Sequence, residues 1–119
     1  MNLVELRESL KEEYGKALGF SEYFKTLNKK IKDPTEEVLD EVCYAVGELN
    51  ILNYDMTLIQ VTIGDVDLSL PSQKMQVEKI EKEITVYLRS MNLFINSGIE
   101  LIRSVRWRLN KASKKGYDY

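Results

Sequence analysis

Residues 77–112 read VEKIEKEITVYLRSMNLFINSGIELIRSVRWRLNKA, and this stretch decides the fold. Its apolar residues recur at alternating steps of three and four, a spacing that places them on one side of an α-helix. A second apolar row, at a spacing of seven, lies beside the first. The first row comprises Val77, Ile80, Ile84, Tyr87, Met91, Phe94, Leu101, Val105 and Ala112, and the second comprises Leu88, Ile95, Ile102 and Leu109.

The predicted helix is long for a chain of this size. No proline interrupts residues 77–112, so at 1.5 Å per residue the stretch would extend about 50 Å. A compact domain of similar length has a radius of gyration of only about 13 Å. We therefore expect this helix to lie along other helices of the chain or to reach another chain. Its predicted bounds are about 73–113, with Ser72 as the N-cap and a frayed tail over 114–119.

Composition limits the functions that the chain can carry. It has 119 residues, 44% of them hydrophobic, and a net charge of −2, which fits one helical domain over residues 1–119. There is no histidine, which excludes the common zinc, di-iron and histidine-dependent catalytic sites. Cys43 is the only cysteine and is expected to be a buried small hydrophobe. With neither a leader peptide nor a long uncharged apolar run, we expect a cytoplasmic protein with no membrane contact. Because no catalytic set stands out in the sequence, we also expect no cofactor and no enzymatic activity.

The first predicted helix covers about residues 2–32. Its apolar row is interrupted at Glu13, and Gly15 and Gly19 follow closely. Mid-helix glycines are unfavourable, so the helix could break between Tyr14 and Ser21, with Ser21 as a new N-cap. The alternative is that the two glycines allow a neighbouring helix to approach closely.

The second predicted helix covers about residues 34–55. The sequence predicts that Asp33 is the N-cap and that Pro34 is the first helical residue. Glu36 lies where a capping box places its acid. Residues 58–70 then alternate apolar and polar side chains on either side of Gly64-Asp65, a pattern typical of a β-hairpin with Asp65 and Asp67 near its tip. The alternative extends the helix to Ile63, because Ile59 and Ile63 also fit the helical spacing. With the hairpin favoured, the expected fold is mainly α: an antiparallel three-helix bundle with a coiled-coil-like C-terminal helix and a small β-hairpin before it.

The back of the long helix carries apolar residues as well. Val86, Leu93 and Trp107 share one heptad position nearly opposite the core row, and Ile99 lies close by. Aromatic residues are enriched at interfaces, and a row that includes tryptophan is costly to leave in water. We expect these four residues to form an oligomer interface, unless the other helices and the hairpin cover both sides.

Two charged clusters suggest other functions. A basic end of the long helix, interleaved with aromatic residues, could bind phosphates of a nucleic acid, although cations are also favoured at a helix C-terminus. The basic residues are Arg103, Arg106, Arg108, Lys111, Lys114 and Lys115.

Acidic residues open the second helix (Glu36, Glu37, Asp40, Glu41) and the third (Glu78, Glu81, Glu83).

The run Glu37-Val38-Leu39-Asp40-Glu41 resembles part of the motif of MazG-type nucleotide pyrophosphohydrolases. That resemblance implies an all-α enzyme in which glutamates and aspartates of adjacent helices hold Mg²⁺, but it covers only these few residues. The layout of helices and an extended connector is also similar to that of small phage and viral proteins. The favoured expectation is a non-enzymatic structural or interaction subunit that self-associates through its long helices and could also take a protein partner. Nucleic-acid binding and the magnesium-dependent enzyme are the alternatives.

Overall fold

Three α-helices account for most of the chain in the computed structural model, which describes residues 2–66 and 68–117, the side chains of 114–117 excepted. Helix α1 spans Leu3–Lys30, α2 spans Glu36–Gly64 and α3 spans Pro71–Tyr117. No strand occurs among the described residues. The predicted three-helix, all-α fold is therefore confirmed, and the predicted hairpin is wrong.

The helices run up, down and up, so that α1 and α3 point the same way. Near one end, the Arg7 guanidinium donates to the Glu83 carboxylate, with Nη2 2.7 Å from Oε1. Near the other end, Arg108 Nη1 donates to the Ile31 carbonyl oxygen at 2.7 Å. Since α2 connects these two parallel helices, it runs antiparallel to both. The two polar contacts fix the register of α1 along α3.

The core is a continuous apolar column between the helices. The Tyr14 ring stacks on the Tyr87 ring with centroids 4.1 Å apart, and Phe94 lies next to this pair. Most of the predicted α3 row is buried, whereas Ala112 is exposed because it lies near the end of the bundle. The largest fully buried side chains are Leu10, Val42, Leu49, Met56, Ile63, Ile80, Ile84, Met91 and Val105.

The segment predicted as a hairpin is helical as far as Gly64. Ile59 and Ile63 continue the core row of α2, and Ile63 is 1% exposed. The threonine hydroxyls in this part bond back to the helix: Thr62 Oγ1 donates to the Leu58 carbonyl at 2.9 Å. Burial of the isoleucines therefore prevails over the local β-type alternation. A short turn follows the helix, and Asp67, predicted near the hairpin tip, lies outside the described residues.

Two helix starts differ from their predicted caps. Thr35, not Asp33, is the N-cap of α2, and its Oγ1 accepts from the Val38 amide at 3.3 Å. Helix α3 begins at Pro71 rather than after Ser72, a position where the missing amide hydrogen of proline costs nothing. At its other end α3 continues to Tyr117, beyond the predicted limit at 113.

Glycines divide into one tightly packed site and several open ones. A Cβ on Gly98 would lie 2.5 Å from Val46 Cγ2 and 2.9 Å from two Phe24 ring atoms, so α1 and α2 side chains pack directly on the α3 backbone here. Nothing lies within 4 Å of a Cβ placed on Gly15 or Gly19. Helix α1 also passes through both without a break, so neither the predicted break nor the predicted close approach occurs.

The molecule is a rod. Its principal extents are 75 × 21 × 19 Å and its radius of gyration is 19.3 Å, well above the value of about 13 Å for a compact domain of this length. The 47-residue α3 sets the long dimension, while α1 and α2 have 28 and 29 residues. A narrow rod of three helices leaves a large part of each helix facing solvent.

Candidate interaction surface

Helix α2 carries an apolar row on its outer face. Five large hydrophobic side chains of this row are between 46% and 67% exposed. Together with Gly47 they follow steps of three and four, the a/d spacing of a coiled coil, over residues 44–61. We call this set the α2 row, and its members are Tyr44, Gly47, Ile51, Tyr54, Leu58 and Val61.

The α2 row exists because α2 is apolar on two sides. Its core side, from Val42 through Leu49 and Met56 to Ile63, is buried against α1 and α3. The outer residues lie between these positions in sequence and point away from the bundle. Their spacing is visible in the sequence, but the hairpin prediction divided the row before Leu58 and concealed its length.

The predicted interface on α3 is largely exposed. Val86, Leu93 and Trp107 are between 57% and 66% exposed, as expected for an outer row, whereas Ile99 is partly buried and packs against the core. The exposed three are separated by exposed charged or polar residues on the same face. These intervening residues are Arg89, Asn96, Glu100 and Arg103.

A groove of about 810 Å³ lies between α1 and α2 beside Tyr44, the first member of the α2 row. Phe20, Tyr23 and Leu52 supply apolar surface, and acids line its edge. The Tyr23 hydroxyl donates to Glu41 Oε2 at 2.8 Å. Burial, together with this carboxylate, raises the pKa of Tyr23 to about 12, so the phenol is neutral and acts as a donor that joins the two helices.

Two buried polar atoms without hydrogen-bond partners lie farther along the α1–α2 boundary. Glu13 Oε2 and Asn53 Oδ1 are buried and have no hydrogen-bond donor among the described residues. Burial raises the pKa of Glu13, and the nearby Asp55 carboxylate raises it further. Glu13, which interrupts the apolar row of α1, is thus destabilising when its carboxyl group is ionised.

The predicted nucleic-acid patch is only partly free. Arg103 and Arg106 are exposed, but Arg108 is half-buried and holds the Ile31 carbonyl. Lys111 Nζ lies 4.4 Å from the centre of the Trp107 ring, a cation–π contact. The side chains of Lys114 and Lys115 lie outside the described residues.

The acidic clusters do not converge. Within the described residues, no group of three or more Asp, Glu or Cys side chains is placed to hold a metal ion. Glu83 is engaged by Arg7 and Glu41 by Tyr23. This geometry lends no support to the magnesium-enzyme alternative. Cys43, predicted to be buried, is half-exposed and flanks the α2 row.

The remaining observations concern membranes and known proteins. Within the part of the chain described here, no helix has the length and apolar character needed to cross a membrane. No family model, curated protein or solved structure matches this chain.

Proposed function

We propose that the protein is a non-enzymatic structural subunit that self-associates through its long amphipathic helices. The observation that carries this proposal is the set of large, exposed hydrophobic side chains at heptad spacing on the outer faces of α2 and α3. A rod in which two helices are apolar on both the core side and the solvent side has more apolar surface than one copy covers.

The physical basis is the cost of leaving these rows in water. Monomeric proteins rarely expose a continuous apolar patch above about 300–600 Å². Each fully buried leucine, valine or isoleucine side chain contributes about 1.5–3 kcal/mol relative to an exposed one. Association that buries several such side chains per copy gains free energy from each of them, and this gain opposes the entropy lost on binding.

The test is the mass of the chain in solution. Light scattering across a concentration series, from about 1 to 100 μM, is expected to give a multiple of the 13.8 kDa chain mass at the upper end. A mass that stays at one chain over the whole series would contradict the proposal.

A further inference from the structure

We infer that the α2 row is the self-association surface, and that a second copy of this chain docks its own α2 row there in parallel orientation. The inference rests on the proposed function and names the surface that carries it out. The row consists of two lines of side chains, each with a spacing of seven. One line contains Tyr44, Ile51 and Leu58, and the other contains Tyr54 and Val61. Steps of three and four along a straight helix fit another helix that crosses it at about 20°.

The size of the surface suits a dimer of small rods. At their exposed fractions, the five large side chains offer on the order of 600 Å² per chain, since an aromatic side chain alone presents about 150–250 Å². A standard interface takes about 800 Å² per partner. The α2 row alone therefore lies at the lower end of specific interfaces, which begin at about 600 Å² per partner. The row extends over about 25 Å of the helix.

Within residues 44–61, the charges beside the α2 row favour the parallel orientation. Glu48 lines the α1–α2 groove and Asp55 lies near Glu13 of α1, so both acids flank the row on its α1 side. The uncharged Cys43 and Asn50 flank it on the opposite, α3 side. In a parallel pair the α1 side of one copy faces the α3 side of the other, so each acid meets an uncharged residue. An antiparallel pair would place Glu48 opposite Asp55 of the second copy, twice in each dimer.

Glycine makes the parallel pairing sterically feasible. A Cβ on Gly47 would meet nothing within 4 Å, so the backbone is open to a close neighbour at this position. In a parallel pair the two Tyr44 rings meet one layer away from the two Gly47 residues. The space left by the missing side chains accommodates the rings, an alternation of large and small layers that favours dense packing.

The α3 row is the weaker surface. The α3 row supplies at most one apolar residue per heptad, and Glu100 takes the position between Leu93 and Trp107. The α2 row supplies two through most of its length. The intervening Arg89 and Glu100 would have to be desolvated on association. Pairing through α2 leaves these charges in water.

The experiment compares matched substitutions on the two surfaces by light scattering and sedimentation. Leu58→Glu lies in the α2 row, and Leu93→Glu makes the same change at a more exposed position on α3. We expect wild type and Leu93→Glu to form dimers of the same affinity. We expect Leu58→Glu, and separately Ile51→Glu, to weaken dimerisation at least tenfold while helical circular dichroism is unchanged.

The outcomes separate the two proposals. A wild-type chain that is monomeric throughout contradicts self-association itself. An oligomer that Leu93→Glu dissociates, and that Leu58→Glu and Ile51→Glu leave intact, overturns the α2 assignment while self-association stands. Wild-type circular dichroism in the variants shows that a loss of mass reflects the surface and not unfolding.

Disulfide formation tests the orientation. In a Cys43→Ser background, Gly47→Cys and Leu58→Cys are each expected to give a disulfide-linked dimer, because identical positions meet in a parallel pair. A disulfide that forms only when the two variants are mixed would indicate the antiparallel arrangement and overturn the parallel one.

Discussion

At the residue scale, Gly98 is the one described glycine with no room for a side chain. Its hydrogen occupies the space in which a Cβ would meet Val46 and Phe24. We expect Gly98→Ala to lower the free energy of unfolding by about 1–3 kcal/mol, because overpacking forces neighbouring helices to shift. Urea unfolding at a fixed protein concentration measures the change.

The matched controls are Gly15→Ala and Gly19→Ala, which add the same methyl group where nothing is close. Alanine favours the helix over glycine, so each is expected to raise the free energy of unfolding by about 0.5–1 kcal/mol. If Gly98→Ala stabilised the protein as much as these controls, the close approach of the three helices at Gly98 would be refuted.

Glu13 makes stability depend on pH. Burial and the Asp55 charge raise its pKa above that of the unfolded chain, so folding favours the protonated carboxyl group. The stabilising effect is complete below the unfolded pKa of about 4.3 and is lost as the pH rises through the higher folded pKa. We therefore expect Glu13→Gln to raise the free energy of unfolding at pH 7.

Unfolding measured at pH 7 and pH 4 checks this expectation. The difference between Glu13→Gln and wild type should shrink towards pH 4, where the wild-type carboxyl group is protonated as well. Glu12→Gln, at an exposed neighbouring position, is the control and should change stability little at either pH. A Glu13→Gln effect that is equal at both pH values would argue against an ionised, desolvated carboxylate.

At the element scale, Arg108 joins the end of α1 to α3. The last carbonyl groups of a helix lack partners within it, and Arg108 satisfies that of Ile31. Arg108→Met keeps most of the aliphatic stem and removes the donor, so we expect a loss of about 1–2 kcal/mol in the free energy of unfolding. Arg106→Met, which is exposed, should change it by less than about 0.5 kcal/mol.

Thermal or urea unfolding of the two arginine variants provides the comparison. Equal effects would mean that the Ile31 contact contributes nothing beyond the general influence of charge near a helix end. This contact also explains why an arginine occupies a core-type position in a helix that is otherwise apolar on that side.

The helices themselves could be predicted from the sequence more completely than the contacts between them. The heptad rows of α3 were sufficient because a regular apolar spacing over 36 residues has few alternative interpretations. Residues 58–63 were ambiguous, since Ile59 and Ile63 fit both the helical and the β spacing. The segment is helical because the helix buries Ile63 in the core. This burial depends on the other helices and cannot be read from the local sequence.

The candidate surface was only partly predictable for the same reason. The sequence predicts that Val86, Leu93 and Trp107 are exposed, because they lie opposite the core row. Ile99 lies near enough to that row to pack against it. The α2 row was concealed by the hairpin prediction. Gly98 falls within the core row of α3, between Phe94 and Leu101, but how tightly it packs depends on distances between helices that the sequence does not give.

At the scale of the whole molecule, side-by-side pairing predicts a particular shape. If α2 packs along α2 of a second copy in parallel, the dimer widens but keeps a maximum dimension near the 75 Å of one rod. Association through the ends would give a maximum dimension close to twice that length. Small-angle X-ray scattering of the dimer distinguishes the two, and the doubled length would contradict pairing through α2.

The parallel course of α1 and α3 has a mechanical consequence. Leu3 at the start of α1 lies beside Ile80 of α3, and α3 runs on to Tyr117, so these two helix ends are about 55 Å apart. Tension applied between those ends would act along the helix axes and would have to slide α1 past its neighbours, breaking many contacts at once.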